Sequence, residues 1–331
     1  MSRIVVHEFK HEPGFHCGSS ALRLLMRHFG HEYSEPMCLG LGMAPSFSYW
    51  PTKELRPSRL FFGRNPTLEA DFFRNLRIDA PVVRHEAPEE TWPPVRALLD
   101  AGHPVLVQVD IAHLPYYNTE THFGGHKILV AGYDEGRHTV LLSDSEFAEA
   151  QTLDRDQFAR ARWEPGLPWD LQGQWWNLRG PVTPAPLEEA VPRGLTECAR
   201  RMTAGEGGLF GTGAMRRMAA DLPSWHDAED WSWCARFGYQ IIERRGTGGG
   251  SFRKKYADFL DEAAAYDARV ARFDLGSRMR TIAEKWTTFA MLLKRESERD
   301  QAPDFREAAG VFAELADLEH AFFSDVAAPA D

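Results

Sequence analysis

The chain has 331 residues, of which 43% are hydrophobic and 26% charged, and its formal net charge is −10. This composition is typical of globular proteins, and the length exceeds what one core usually organises, so we expect two domains. The acidic balance argues against nucleic acid as a partner, because phosphate binding needs a basic surface. The same charge suits a polycationic ligand and is equally consistent with a role in solubility alone.

No apolar run approaches the roughly 20 residues that a membrane-spanning helix needs. The N-terminus lacks the apolar core and cleavage site of a signal peptide. Four cysteines are present, without the close spacing of a disulfide framework: Cys17, Cys38, Cys198 and Cys234. We therefore expect a cytoplasmic protein that makes no membrane contact.

Cys17 lies where a loop becomes an apolar helix. Pro13 and Gly14 interrupt any helix before it, and Gly30 is a typical helix end. A thiol at a helix N-terminus faces unpaired amide N–H groups and the positive end of the helix dipole, which both favour the thiolate. Cys17 is therefore a candidate nucleophile; the alternative is a small buried hydrophobe, the commoner role of a lone cysteine.

The middle of the chain predicts helices followed by strands. Apolar spacing favours helices over 68–76 and 92–101, and β-branched runs favour strands over 105–111, 126–133 and 138–144, with a turn at 134–137. Pairing the last two strands with Tyr133 near His138 places His126 opposite Ser145, or opposite Asp144 if the turn is bulged. We therefore expect His126 to be a base whose ring is oriented by Asp144.

Two other aspartates compete with Asp144 for the orienting role. Asp134 lies in the predicted turn and is expected to be solvated. Asp110 precedes the irregular stretch 112–125 and could line a pocket for the acceptor. The hairpin pairing favours Asp144; the alternative is that Asp144 is an ordinary turn residue at a strand end.

A cluster of His7, His11, His16 and Cys17 has the residue types of a zinc site. No second closely spaced group of histidines and cysteines supports it, so we expect no metal and no cofactor bound by the chain. His16 is expected to be only a structural neighbour of the thiol, because adjacent residues on a turn seldom face each other.

The rest of the chain predicts a helical second domain. A helix over 154–163 closes a first domain of residues 1–165, and residues 166–186, rich in Pro, Gly and Trp, are a linker or covering segment. The second domain, 187–326, carries the predicted helices 187–204, 209–221, 226–244, 251–273, 275–297 and 304–326.

Two glycine-rich segments each allow a functional and a structural interpretation. Residues 40–50 are predicted to be a flexible loop that either contacts substrate or is a surface turn. Residues 246–251 precede basic residues at 253–255, which suits an anion or carrier-protein docking site. The alternative, which we favour, is a tight interhelical turn with Ser251 as the N-cap.

The strand motifs carry a resemblance. Gly125–Asp134 and Val140–Asp144, after a cysteine helix, resemble papain-like cysteine enzymes and especially bacteriocin-leader peptidases. The resemblance implies that Cys17, His126 and Asp144 are catalytic. Such enzymes often carry a side-chain donor, usually Gln, six residues before the cysteine to complete the oxyanion hole. The residue at that position here is His11, whose ring N–H can donate, so the resemblance makes His11 a fourth candidate catalytic residue.

A second resemblance covers most of the chain. The Cys17 region, Gly40–Phe47, Phe62–Arg64, the His126 strand and Gly246–Arg253 resemble the butirosin biosynthesis protein H family. It implies an acyltransferase that moves an acyl or aminoacyl group from a phosphopantetheine thioester on an acyl carrier protein to an amine, which is that of an aminoglycoside in the butirosin case. We thus predict an α+β protein, a papain-like catalytic domain followed by an all-α domain.

Two other functions remain open. A cysteine peptidase or amidase would use the same three residues with water as the acceptor. A non-catalytic binding protein would use Cys17 only as a packed thiol.

Overall fold

The computed structural model describes residues 3–163, 170–204, 208–300 and 302–327. The chain divides into two compact units, Met1–Cys38 with Leu76–Pro184, and Leu39–Asn75 with Ala185–Asp331. The predicted division into 1–165, 166–186 and 187–326 stays a prediction. The compact units add that residues 39–75 belong with the C-terminal helices.

Helices and strands alternate in the first half, and helices dominate the second. The helices are α1 (Cys17–His28), α2 (Glu35–Leu41), α3 (Leu68–Asn75), α4 (Trp92–Asp100), α5 (Arg155–Trp163), α6 (Leu187–Ala204), α7 (Gly211–Asp221), α8 (Trp231–Glu243), α9 (Arg253–Ala263), α10 (Ala268–Arg272), α11 (Leu275–Ser297) and α12 (Arg306–Ala327). The strands are β1 (Arg3–Val5), β2 (Pro45–Pro51), β3 (Arg59–Arg64), β4 (Val82–Val83), β5 (Val105–Val109), β6 (His126–Asp134), β7 (Thr139–Ser143), β8 (Gln151–Asp154) and β9 (Trp175–Trp176). The predicted α+β class is confirmed.

The first unit is organised around an antiparallel sheet in the order β4-β9-β5-β6-β7-β8, with β1 also paired to β6. The first half of β6 pairs with β5 and its last three residues pair with β1. A Cβ on Gly132 would lie 2.5 Å from the carbonyl oxygen of Ile4, so a glycine lets β1 approach. Helix α1 packs on β6 and β5, which places its first residue near the start of β6.

The hairpin β6–β7 forms with a different pairing from the one predicted. Tyr133 lies opposite Val140, not near His138, and the ladder shifts by one residue between Val130 and Gly132. The reason is local: His138 belongs to a four-residue turn and has a left-handed φ of 55°, so the strand begins at Thr139. Asp144 therefore follows the end of β7.

One apolar core of the first unit packs against its sheet. It is built from one face of α4, the inward residues of β5, β6 and β7, and Phe158 of α5. Residues 166–169 of the predicted linker lie outside the described residues, while β9, further along the same segment, pairs with β4 and β5. The segment therefore supplies a strand to the sheet.

The second unit is helical except for one hairpin. Helices α6 and α11 have the predicted bounds, whereas the helix predicted over 251–273 is two helices, because the Asp267 side chain caps α10. The flexible loop predicted over 40–50 is wrong: β2 pairs with β3, and Phe47 of β2 stacks on Phe61 at 5.7 Å. The hairpin lies within residues 39–75, whereas the described part of the predicted all-α domain, 187–326, is helical.

The glycine-rich segment 246–251 is an interhelical turn between α8 and α9. Its Thr247 hydroxyl donates to the Ile242 carbonyl, and the Gly250 amide donates to Glu243. Ser251 is not the N-cap; Phe252 occupies that position with a left-handed φ of 72°. The hypothesis of an anion or carrier-protein docking site needs exposed basic residues at 253–255, and Arg253 is fully buried.

Arg253 forms a bidentate ion pair with Glu319, and both side chains are 0% exposed. Removing one partner of such a pair leaves an uncompensated buried charge, which costs about 3–5 kcal/mol. We therefore expect Arg253→Met to lower the free energy of unfolding by that amount in urea titrations. The matched variant Arg306→Met, at an exposed pair with Asp304, should change it by less than about 1 kcal/mol. Equal effects of the two variants would contradict this expectation.

Among the described residues, no helix combines the length and the apolar character that spanning a bilayer requires. All four cysteines are free thiols.

Candidate active site

Cys17 is the first residue of α1, and the turn before it is held by a buried carboxylate. Glu35 accepts hydrogen bonds from the backbone N–H groups of Phe15 and His16, at 3.1 and 3.0 Å, and from the Ser19 hydroxyl at 3.0 Å. His16 is the N-cap, and its Nδ1 accepts from the Ser19 N–H. These bonds fix the direction in which the Cys17 side chain leaves the helix.

A glycine allows this turn to close. A Cβ on Gly14 would lie 2.3 Å from the Ser20 hydroxyl oxygen and 2.6 Å from a Glu35 oxygen. The Gly14 N–H donates to the carbonyl of Ser145 at 3.0 Å. The loop before Cys17 is therefore bonded directly to the loop after β7.

His11 makes a second connection between the same two loops. Its Nε2 donates to the carbonyl of Phe147 at 2.9 Å, and its Nδ1 lies 2.7 Å from the Ser143 hydroxyl. Both ring nitrogens are thereby engaged. To donate to an oxyanion, as the sequence analysis expects, His11 would have to release one of these partners.

His126, the first residue of β6, is directed toward both Asp144 and Cys17. Its side chain is buried, and Nε2 lies 2.9 Å from Oδ2 of the fully buried Asp144. The ring also lies close enough to the Cys17 thiol for each group to shift the pKa of the other. Because Nε2 is engaged by the carboxylate, Nδ1 is the nitrogen left for sulfur. The structure thus brings the three predicted residues together.

Two tyrosines enclose the carboxylate. The hydroxyls of Tyr116 and Tyr117 donate to Asp144 at 3.3 and 3.2 Å, and the Tyr117 hydroxyl lies 3.1 Å from Nε2 of His126. The Phe147 ring packs edge-on against both tyrosines. Burial and the charge of Asp144 raise the pKa of both phenols, so they stay protonated and donate.

The sulfur and the imidazole shift each other's protonation. Burial raises the pKa of Cys17, but the interactions with His16 and His126 outweigh it, and the thiol pKa falls well below its ordinary value. Burial lowers the pKa of His126, but the charge and hydrogen bond of Asp144 raise it to about 10. Both shifts favour a thiolate–imidazolium pair over a neutral thiol and a neutral imidazole.

Three residues that the sequence analysis did not assign to the site affect it. His16, which the sequence predicts to be only a structural neighbour of the thiol, lowers the pKa of Cys17. Glu35 holds the turn, and Glu146, whose N–H donates to Asp144 at 3.3 Å, adds a carboxyl group. Burial and the charges of Asp144 and Cys17 raise the pKa of Glu146. Only the three-dimensional arrangement identifies these residues.

The competing aspartates are bonded elsewhere. Asp110 accepts from backbone N–H groups of its own loop and from His122. Asp134 accepts from the Arg137 N–H in the turn after β6.

Two family models match the chain. Residues 156–326 match a domain of unknown function, DUF4872, and residues 16–145 match the model described as butirosin biosynthesis protein H, N-terminal. The second match includes Cys17, His126 and Asp144. No curated protein matches the chain.

Proposed function

The chain belongs to the DUF4872 family and carries the butirosin biosynthesis protein H N-terminal region, and on this premise we propose that it is a cysteine-dependent acyltransferase of antibiotic biosynthesis. Its donor is an acyl or aminoacyl thioester on the phosphopantetheine of an acyl carrier protein, and its acceptor is a small amine. A reducing cytoplasm would protect Cys17 from oxidation.

The observation that supports this proposal most is the grouping of three residues: His126 is bonded to Asp144 at 2.9 Å, and it lies near enough to Cys17 for the two groups to shift each other's pKa. A nucleophile, a base and a group that orients the base are the parts that covalent acyl transfer needs. The papain-like arrangement that we infer has the thiol at a helix N-terminus and the imidazole on a neighbouring strand, with Nε2 on the carboxylate.

Acylation begins with the thiolate of Cys17 attacking the carbonyl carbon of the donor thioester. The carbonyl oxygen becomes an oxyanion, which the Cys17 N–H can stabilise, because the first N–H groups of a helix lack intrahelical partners. The bond to the pantetheine sulfur then breaks, and the His126 imidazolium protonates the leaving thiolate. Asp144 and Tyr117 hold the ring throughout.

Deacylation reverses these roles. The acceptor amine attacks the acyl-Cys17 carbonyl, neutral His126 takes the amine proton, and the bond to the Cys17 sulfur breaks, which restores the ion pair. An ammonium-rich acceptor would be attracted by Glu146 and by the net charge of −10. Transfer has to exceed hydrolysis, so we expect water to be excluded while the acyl-enzyme exists.

The direct test is a mass measurement of the intact protein after incubation with acetyl-pantetheine. We expect one acetyl adduct on the wild type and on Cys198→Ala, which alters a buried thiol outside the site, and none on Cys17→Ala. An added aminoglycoside should discharge the adduct with formation of an acetamide.

Two outcomes would overturn the proposal. Discharge at the same rate without the amine would favour a peptidase or amidase. The absence of any Cys17 adduct with acetyl and glycyl thioesters would favour a binding protein.

A further inference from the structure

The segment between β5 and β6 carries a group of residues that the proposed chemistry does not use. Asp110 follows directly after β5, whose last residue, Val109, pairs with His126. His113 ends a short 3-10 turn that the Asp110 side chain caps, and His122 returns to the same place shortly before β6. One carboxylate and two imidazoles thus meet at the base of this segment.

The spacing of these three side chains suits coordination of one metal ion. One ligand atom from each of the three residues can be chosen so that all lie within 4.8 Å of one another. Oδ2 of Asp110 is 2.8 Å from Nδ1 of His122, and the rings of His113 and His122 are 5.7 Å apart. The Asp110 side chain is 0% exposed and that of His122 is 56% exposed, so the group is anchored inside and open to solvent.

The other Asp110 oxygen is already fixed. Oδ1 accepts from the N–H groups of Ala112 and Phe123, at 3.0 and 2.8 Å. Backbone bonds of this kind orient a carboxylate before it meets a metal, and they leave Oδ2 directed at His122.

We propose that Asp110, His113 and His122 bind a divalent transition metal, with zinc as the ion whose ligand preferences fit best. Zinc takes imidazole nitrogen and carboxylate oxygen at about 2.0–2.2 Å in a tetrahedron, and three protein ligands leave one position for water. The ligand atoms would move by roughly an ångström to reach tetrahedral separations. This departs from the expectation of no metal, which considered only the histidines near Cys17.

The ion would clamp the segment that encloses Asp144. Tyr116 and Tyr117 lie between His113 and His122 in sequence and bond to Asp144. Joining the ends of the segment reduces the number of conformations available to these tyrosines. The ion would therefore fix the position of the two tyrosines and would not act on the Cys17 sulfur. Its binding can be measured whether or not the protein transfers acyl groups.

The test is a zinc titration of the chelator-treated, full-length protein by calorimetry, repeated with cobalt to observe its visible absorption. We expect one equivalent to bind to the wild type and to Cys17→Ala, which excludes the thiol as the ligand. His113→Ala and His122→Ala should each weaken binding at least tenfold, and His138→Asn, at an exposed histidine paired with Asp156, should not.

A second measurement keeps the proposal falsifiable if a variant folds poorly. Zinc should raise the thermal midpoint of the wild type and should not raise that of the double variant His113→Ala/His122→Ala. Equal zinc binding by the wild type and the double variant, or no binding by the wild type, would overturn the proposal.

Discussion

His126→Asn is expected to slow acylation of Cys17 by a pantetheine thioester by between about 10² and 10⁴-fold, the usual contribution of a general acid–base group. The variant removes both the cation that stabilises the thiolate and the proton donor for the leaving sulfur. Quenched single-turnover reactions, followed by the mass of the intact protein, measure this rate. Asparagine keeps a polar side chain at the buried position, which favours folding.

The matched control is His138→Asn. His138 has a left-handed backbone that asparagine tolerates, and its ring bonds to exposed Asp156. This variant should acylate within about twofold of the wild-type rate. A His126→Asn rate within tenfold of the wild type would contradict the proposed role of the imidazole, provided that circular dichroism shows both variants folded.

The pH dependence of Cys17 alkylation by iodoacetamide should differ strongly from that of an ordinary thiol. An ordinary thiol has a pKa near 8.5, so its rate falls about tenfold for each pH unit below that value. Because the pKa of Cys17 is lowered and that of His126 is raised to about 10, the thiolate persists as the pH falls. At about pH 6, Cys17 should therefore react roughly 100-fold faster than the ordinary thiol.

One variant and two internal controls define this experiment. In His126→Asn the dependence of the alkylation rate on pH should become more like that of an ordinary thiol. Cys198 and Cys234 have pKa values that burial raises to about 12 and about 11, so they should not react at neutral pH. A wild-type rate that falls tenfold for each unit between pH 8 and 6 would refute the ion pair.

Sequence patterns anticipated the local elements well and the long-range ones less well. The bounds of α6 and α11 follow from helical periodicity alone. The contact between His126 and Asp144 was predicted from adjacent strand ends, although the pairing was wrong, because the turn takes in His138. Strand ends that are close in space tolerate such an error when the side chains are long enough to meet.

Other features depend on partners that are distant in sequence. The strand β2 contains Pro, Ser and aromatic residues and follows a glycine-rich stretch, a pattern that favours a loop. Packing around Phe47 makes it a strand. Glu35 lies 18 residues after Cys17 and has no motif of its own. The membership of residues 39–75 in the second unit has no local signal either, since a chain that enters a unit twice leaves no trace in periodicity.

The direct bonds between the two loops have a mechanical consequence. Gly14 bonds to Ser145, and His11 bonds to Ser143 and Phe147. The loop before Cys17 and the loop that carries Asp144 therefore form one rigid body. When the β6–β7 hairpin bends, the two loops should move together. The distance between the Cys17 sulfur and the Asp144 carboxylate should then stay nearly constant.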